Sequence, residues 1–465
     1  MTCEDHDEFQ KDWALRRAAG PVAAWMALAF GLAGCAVYRS APLNGEANSV
    51  LAQPDLRAVS ADVAHLSHPR LKPVAIDPNQ PFTPQALGLI AVITNPDLKA
   101  ERVKAKVADA QVFEAGLLPD PSLTFGTDQI LSGPDTTNAF TGQIALDLNA
   151  LRTRQVSRLS ARGARRQVRF DLAWQEWQTA GQARLLAARI AGLSQAMVLD
   201  RQTGAATEVM LNRVLQAAAR GDVKADEVEA RRIAASDASD KARQAERDLD
   251  AARHDLNRLL GVRPDTQIRI ASTPTPPVDL DAETLFARAR GNRLDLLALQ
   301  AGYDSQEAAT RKAVMDQFPN LQLTITRAQD TTGNQTLGPS VNFTLPVWNR
   351  NAGGIAIARA TREQLRAEYA ARVFAARADI ADLVAGLSIA RRQREDMAAQ
   401  VGPLKQIAAR AQAAVSNGDI AQAAGDAARQ SVTDKQLALL ALDQSLAEQT
   451  VALELAVGAP LSEQP

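Results

Sequence analysis

The chain has 465 residues and a formal net charge of -1, which gives no electrostatic reason to expect nucleic acid or another strongly charged partner. Its apolar content is 46% but its aromatic content only 4%, so Ala, Leu and Val carry the hydrophobicity; that composition suits closely packed helices better than a thick globular core. After residue 40 no run of about 20 apolar residues occurs, so no helix beyond that point is expected to cross a bilayer.

At the N-terminus, Arg16 and Arg17 precede an apolar run over residues 22–32 that ends in Leu32-Ala33-Gly34-Cys35. A basic stretch followed by a short apolar one reads as an export signal, residues 1–34. Glu4, Asp5, Asp7 and Glu8 are unusual ahead of such a signal, and a start codon further along is an open alternative. The Leu-Ala-Gly-Cys ending resembles a bacterial lipobox, whose cysteine carries lipid; the alternative is a small-residue cleavage site beside a chance cysteine. Cys3 lies in the discarded part, so Cys35 would be the only mature cysteine and has no partner for an internal disulfide. Ala36 rather than Asp follows it, which by the same resemblance favours the outer membrane.

Residues 35–82 contain Pro42, Pro54, Pro69, Pro73, Pro78 and Pro81, which predicts an extended segment wrapped on a surface. No proline then occurs between Pro134 and Pro264, and residues 151–220 read as one helix of roughly 70 residues, about 100 Å long. Further proline-free stretches cover residues 347–402 and 404–459. Helices of that length imply coiled-coil or barrel-like packing.

The chain is a tandem repeat. "LLPDPSLTF" at Leu117 answers to "QFPNLQLTI" at Gln317. "GQIALDLNALRTR" at Gly142 answers to "PSVNFTLPVWNRN" at Pro339, "GDV" at Gly221 to "GDI" at Gly418, and "LLGVRP" at Leu259 to "AVGAPL" at Ala456, all three at one offset of 197 residues. Each half, residues 83–261 and 282–460, therefore reads as helix, strand pair, very long helix, tight turn and returning helix. A linker over residues 262–281 joins them, and residues 461–465 form a tail. Ala238, Ala242, Ala245, Leu249, Ala252, Leu256 and Leu259 step by alternating four and three, a heptad seam repeated at Leu439, Leu442, Leu446, Leu453 and Ala456 and interrupted by Gln449. Gly221 and Gly418 are C-cap residues, and Asp222 and Asp419 are expected to N-cap the next helix, marking two hairpin tips.

Four two-faced strands are expected over residues 122–129, 138–148, 321–328 and 336–347. Leu123 and Phe125, then Ile144, Leu146 and Leu148, Leu321, Leu323 and Ile325, and Val341, Phe343 and Leu345 share the apolar face; Ser, Thr, Gln, Asn and Asp share the other. Pro346 suits a strand end, and Trp348 a membrane interface. An ordinary antiparallel sheet lying on helices shows the same alternation. A membrane barrel does too, but four strands cannot close one, so that reading requires oligomers.

Taken together, "GCAVYRSAPL", "NPDL" at Asn95, "EAGLLPDPSLTF" and "LGPSVNFTLPVWNRNAGGIAIARA" resemble the TolC-type outer-membrane efflux factors, specifically their lipoprotein branch, over about residues 83–460. The resemblance implies a mainly α fold with a small membrane β-barrel, in a homotrimer. Each protomer would give four strands to a shared 12-stranded barrel and long helical hairpins to a periplasmic tunnel. It implies a passive conduit for drugs, metal ions or other small molecules, docked through its tips onto a periplasmic adaptor (membrane fusion) protein and an inner-membrane pump. Phe125, Ile144, Leu146, Leu148, Leu323, Val341, Phe343 and Leu345 would face lipid. Gly221, Asp222 and Asp226 fit the family pattern at the first tip. At the second, Gly418 and Asp419 are followed by small alanines where the family often has an acid and Leu, with Asp426 as a substitute.

No enzyme, cofactor or metal site emerges from the residues; the only group expected is covalent lipid at Cys35. His6, His65, His68 and His254 are scattered, and the His65/His68 pair reads as a solvated loop. The basic run "RGARRQVR" at Arg162 reads as a solvated or tunnel-lining helix face rather than a nucleic-acid site. The rival from another class is a lipid-anchored periplasmic coiled-coil adaptor or scaffold without a pore.

Overall fold

The computed structural model describes residues 38–43, 51, 54–135, 137–271 and 281–461. Cys35 and the expected export signal lie outside these residues. The chain divides into two units, Met1–Ala52 and Gln53–Pro465, and the second holds the architecture described here.

Its elements run α1 (Leu56–Ala64), α2 (Pro84–Thr94), α3 (Pro96–Glu114), β1 (Ser122–Asp128), β2 (Ala139–Asp147), α4 (Leu148–Ala219) and α5 (Ala225–Leu259), then α6 (Ala282–Asn292), α7 (Leu294–Met315), β3 (Leu321–Gln329), β4 (Gln335–Phe343), α8 (Ala352–Asn417) and α9 (Gln422–Val457). The starts are written in the sequence. Thr83 accepts from the Ala86 N–H ahead of Pro84, Asn95 from Leu98 ahead of Pro96, and Asp281 from Thr284. Asp147 closes β2 and caps the 72-residue α4 in one step, accepting from Asn149 and Ala150.

The helices pack in a definite order. Near the sheet it is α3–α4–α7–α8; toward the hairpin tips it is α5–α4–α9–α8. Four columns result, with α3 and α5 sharing the first, α7 and α9 the third, and α4 and α8 each filling one alone. Glycines on α4 let the third column approach closely. A Cβ on Gly163 would stand 2.8 Å from the Ser305 Cα, and one on Gly181 would meet the Leu455 side chain. Ser160 and Ser305 there exchange hydroxyl-to-carbonyl hydrogen bonds of 3.1 and 2.8 Å. The heptad seam of α5 does what its period requires, with Ala238, Leu249, Ala252 and Leu256 buried and Ala242, Ala245 and Leu259 half-buried.

Several expectations need correction. Pro403 does not divide two helices but lies inside the 66-residue α8, which runs on to Asn417. Ala399, Gln400, Gly402 and Pro403 are exposed, so water can take the Ala399 carbonyl that proline leaves without a donor. The proline-rich N-terminal segment is not wholly extended, because α1 forms in it and buries Val59 and Val63 in the main core with Leu87, Leu89, Ile90, Leu249 and Leu256. His68 is not in a solvated loop. Its Nδ1 accepts from the Arg70 and Leu71 N–H groups, both at 3.0 Å, and its Nε2 lies 2.9 Å from the Ala173 carbonyl of α4. Burial holds its pKa below the usual histidine value, against the upward pull of the Ala173 hydrogen bond. Arg70 continues this strap by donating to the Asn292 and Gly291 carbonyls at the end of α6. The basic run on α4 is solvated, as expected, and its exposed arginines also tie the helix to its neighbours: Arg169 pairs with Asp109 of α3 at 2.9 Å, and Arg166 with Asp304 of α7 at 3.0 Å.

The duplication persists in backbone detail. Gly261 after α5 and Gly458 after α9, again one repeat apart, both have positive φ, +62° and +75°. Each lies against the kink between the two short helices of its own half. A Cβ on Gly261 would stand 3.0 Å from Pro96, and one on Gly458 would stand 3.0 Å from the Arg293 Cα. At the first kink the Asn95 amide donates to the Leu259 carbonyl; at the second, Arg293 Nη1 donates to the equivalent Ala456 carbonyl. Arg293 also grips Asp295 through Nε–Oδ1 at 3.0 Å and Nη2–Oδ2 at 2.8 Å, and lies 5.1 Å from the Trp174 ring centre. The pair is 8% and 6% exposed, and Arg372 of α8 approaches Asp295 at 3.5 Å.

Candidate functional site: the two-faced sheet and the hairpin tips

The strands form one antiparallel sheet in the order β1-β2-β3-β4. Its register stacks the apolar residues in cross-strand rows: Leu123–Ile144–Ile325–Pro339, then Leu146–Leu323–Val341, then Leu321–Phe343. The rows nearer the hairpin loops are Phe125–Gly142–Arg327–Leu337 and Thr127–Phe140–Gln329–Gln335. The opposite face carries Ser122, Thr124, Thr141, Gln143, Gln322, Thr324, Thr326, Ser340 and Asn342. No helix covers the apolar face: Phe125 is 66% exposed, Val341 53% and Phe343 56%, and Ile144 and Ile325 are exposed as well. Leu146 and Leu323 are half-buried.

Two residues expected on that face are not in strands. Leu148 is the first residue of α4, because the Asp147 cap ends β2 one residue sooner than alternation suggests. β4 stops at Phe343, so Leu345, Pro346 and Val347 lie in the connection to α8. That connection is strained: Arg350 and Asn351 both have left-handed φ, 46° and 51°, and the Asn351 amide holds the turn by donating to the Ala313 carbonyl at 2.8 Å. Trp348 within it is 95% exposed.

The sheet and the helical columns end at the same places. β1 and β4 each have one unpaired edge. In the helical layer the outer columns are α3 with α5 on one side and α8 on the other. These outer helices carry exposed apolar side chains, Val103, Val107 and Phe113 on α3 and Ile357 and Phe374 on α8.

At the tips, Gly221 and Gly418 both have φ of +82°. Each turn returns two backbone bonds to the helix it ends: Gly221 N–H to Ala218 and Asp222 N–H to Ala217, and Gly418 N–H to Val415 and Asp419 N–H to Ala414. Asp222 and Asp419 therefore belong to the outgoing turns and cap nothing. The next helices start later, with Lys224 and Ala421 in the N-cap positions and no side-chain cap. Asp222 is instead paired with Arg220 at 3.0 Å. Asp226 sits in the first turn of α5, where an acid suits the helix dipole. Asp426 is partly buried and pairs with Arg231 of α5 at 3.1 Å and with Arg429, so it joins the two hairpins. Arg231 is the tip residue that reading the sequence overlooked, since nothing local in "EARRIAA" marks which arginine crosses to the other hairpin. Among the described residues, no group of three or more His, Cys, Asp or Glu side chains is arranged to hold a metal ion.

Residues 285–459 match the family model described as outer membrane efflux protein. The match covers most of the second repeat. The first repeat is built from the same elements in the same order. Solved structures extend the likeness of fold to both halves of the chain. A membrane protein from Pseudomonas aeruginosa is 18% identical with a TM-score of 0.70, over 81% of this chain and 90% of that one. The Campylobacter jejuni CmeC outer membrane channel is 15% identical with a TM-score of 0.70, over 82% and 87%. The Vibrio cholerae outer membrane protein VceC is 14% identical with a TM-score of 0.67, over 82% and 97%. Among curated proteins no sequence matches. The chain thus has the fold of these outer-membrane channels.

Proposed function

We propose that this chain is the outer-membrane channel of a tripartite efflux system, a passive conduit from periplasm to exterior that works as a homotrimer. The observation that carries the reading is the coincidence of open edges in sheet and helical wall. An unpaired strand edge in lipid leaves backbone groups unsatisfied at several kcal/mol each. Copies placed edge to edge remove both edges at once, β4 against the next β1 and α8 against the next α3 and α5. Three copies of a four-stranded sheet give twelve strands, enough for a lumen that side chains do not fill. The nine-residue strands β2, β3 and β4 extend about 30 Å, and at the usual tilt they cross an apolar band about 25 Å tall. The Phe125, Ile144, Leu146, Leu323, Val341 and Phe343 face then meets lipid, and the Thr, Gln and Asn face meets water.

In this reading the turns at Gly221 and Gly418 dock on a periplasmic adaptor coupled to an inner-membrane pump, with Asp222, Asp226 and Asp419 about the entrance. A lipid on Cys35 tethers the N-terminus to the outer membrane. The deciding experiment is conductance. The purified protein should run as a trimer in detergent and open stepwise ion currents in a planar bilayer. A monomeric or dimeric protein with no current would refute the reading and leave a pore-free scaffold in its place.

A further inference from the structure

The outward face of the sheet carries one charged side chain within its strands, Arg327 of β3, and its position is informative. It lies in the row Phe125–Gly142–Arg327–Leu337, between the purely apolar row of Ile144 and Ile325 and the polar row of Gln329 and Gln335. That is the last apolar row before the loops, at the end remote from the helices. β3 is an inner strand, so the surroundings of Arg327 are complete within one protomer. Gly142 beside it contributes no side chain, and the Phe125 and Phe140 rings cover that flank with apolar surface instead of a counter-charge.

Among the described residues no protein group neutralises it. Among the described residues its one polar contact is the Gln335 side-chain oxygen, Nη2 to Oε1 at 3.4 Å, with no carboxylate. The nearest acid along the strand, Asp330, is engaged by Thr332 and Asn334 in its own turn. Asp128 belongs to the opposite face of the sheet. A guanidinium facing lipid is unfavourable unless a counter-charge reaches it, and its planar fork of donors matches a phosphate.

We propose that Arg327, with the Gln335 and Gln329 amides one row outward, binds the phosphate of an outer-leaflet lipid headgroup, one per protomer. The proposal rests on the barrel reading above, because only there does this face meet lipid. Each site would fix a phosphorylated glycolipid against the wall at the depth where acyl chains give way to headgroups.

The test uses the full chain purified in detergent. Native mass spectrometry counts bound lipid during titration with bisphosphorylated lipid A, the same lipid stripped of phosphate, and inorganic phosphate. Wild type should bind bisphosphorylated lipid A in up to three copies per trimer. Arg327→Gln should weaken that binding by about tenfold or more, with Arg327→Lys between, as loss of a charge-assisted fork implies. Equal binding by Arg327→Gln, or equal binding of the phosphate-free lipid, would overturn the site. Inorganic phosphate competing at the same concentration as the lipid would make it a free-ion site and overturn the lipid assignment. Conductance of the wild type, measured alongside, reports on the barrel reading separately, and Arg327→Gln should conduct unchanged.

Discussion

Replacing Arg293 with Met should be among the most damaging single changes away from the sheet and the tips. Arg293 gives Asp295 two hydrogen bonds, at 3.0 and 2.8 Å, in a site where the two side chains are only 8% and 6% exposed. It also satisfies the Ala456 carbonyl at the end of α9. Methionine keeps much of the volume beside Trp174 but strands the Asp295 carboxylate. Removing one partner of a buried pair costs about 3–5 kcal/mol. Arg372 at 3.5 Å and the Leu296 N–H at 2.9 Å remain to Asp295, which places the expected loss at the lower end, about 3 kcal/mol. Arg293→Met with Asp295→Leu removes both charges, and such replacement is often close to neutral, so the double variant should regain about 2 kcal/mol of the loss. The assay is thermal unfolding of the full chain in detergent at one fixed protein concentration. At about 2 °C or less per kcal/mol for a chain this large, the single variant should melt a few degrees lower and the double variant nearer wild type. A single variant within about 1 °C of wild type, or a double variant worse than the single, would refute the argument that a desolvated ion pair holds the second kink.

Three further changes have defined outcomes. Gly163→Ala places a Cβ 2.8 Å from the Ser305 backbone and should cost about 1–3 kcal/mol by forcing α4 and α7 apart, measurable as a lowered melting temperature; an unchanged value would show that the columns slide freely. Burial holds the folded-state pKa of His68 below its unfolded value of about 6.5, so its stabilising contribution is full above that pH and is lost as pH falls from there through the lower folded-state pKa. Amide exchange over residues 65–71, corrected for intrinsic rates, should therefore accelerate at pH 5 relative to pH 8, and a flat profile would contradict the sign. Asp426→Asn weakens the contact with Arg231 and should raise amide exchange at both hairpin ends while leaving the proposed trimer intact; exchange confined to one hairpin would refute the cross-link.

Much of the fold was legible because it is periodic. The 197-residue offset, the heptad seam of α5 and the alternation of the strands each repeat often enough for one irregular residue to do little harm. What escaped depended on where a single side chain points. Pro403 reads as a helix end, yet an exposed helix face supplies water to the orphaned carbonyl. Asp222 and Asp419 read as caps, yet a left-handed glycine followed by a backbone bond to the preceding helix uses those residues in the turn. His68 read as solvated because its three hydrogen-bond partners include Ala173, 105 residues away. The partnership of Arg231 with Asp426 is invisible for the same reason.

The shared open edges of the sheet and the columns also have a consequence in genetics. In the homotrimer proposed above, every ring is exposed to whichever copy is worst. If a variant that still assembles but blocks the passage is expressed at the level of wild type, random mixing leaves about one ring in eight free of it. Such alleles should therefore be dominant over the normal gene in the same cell, whereas alleles that destroy folding, and never reach a ring, should be recessive.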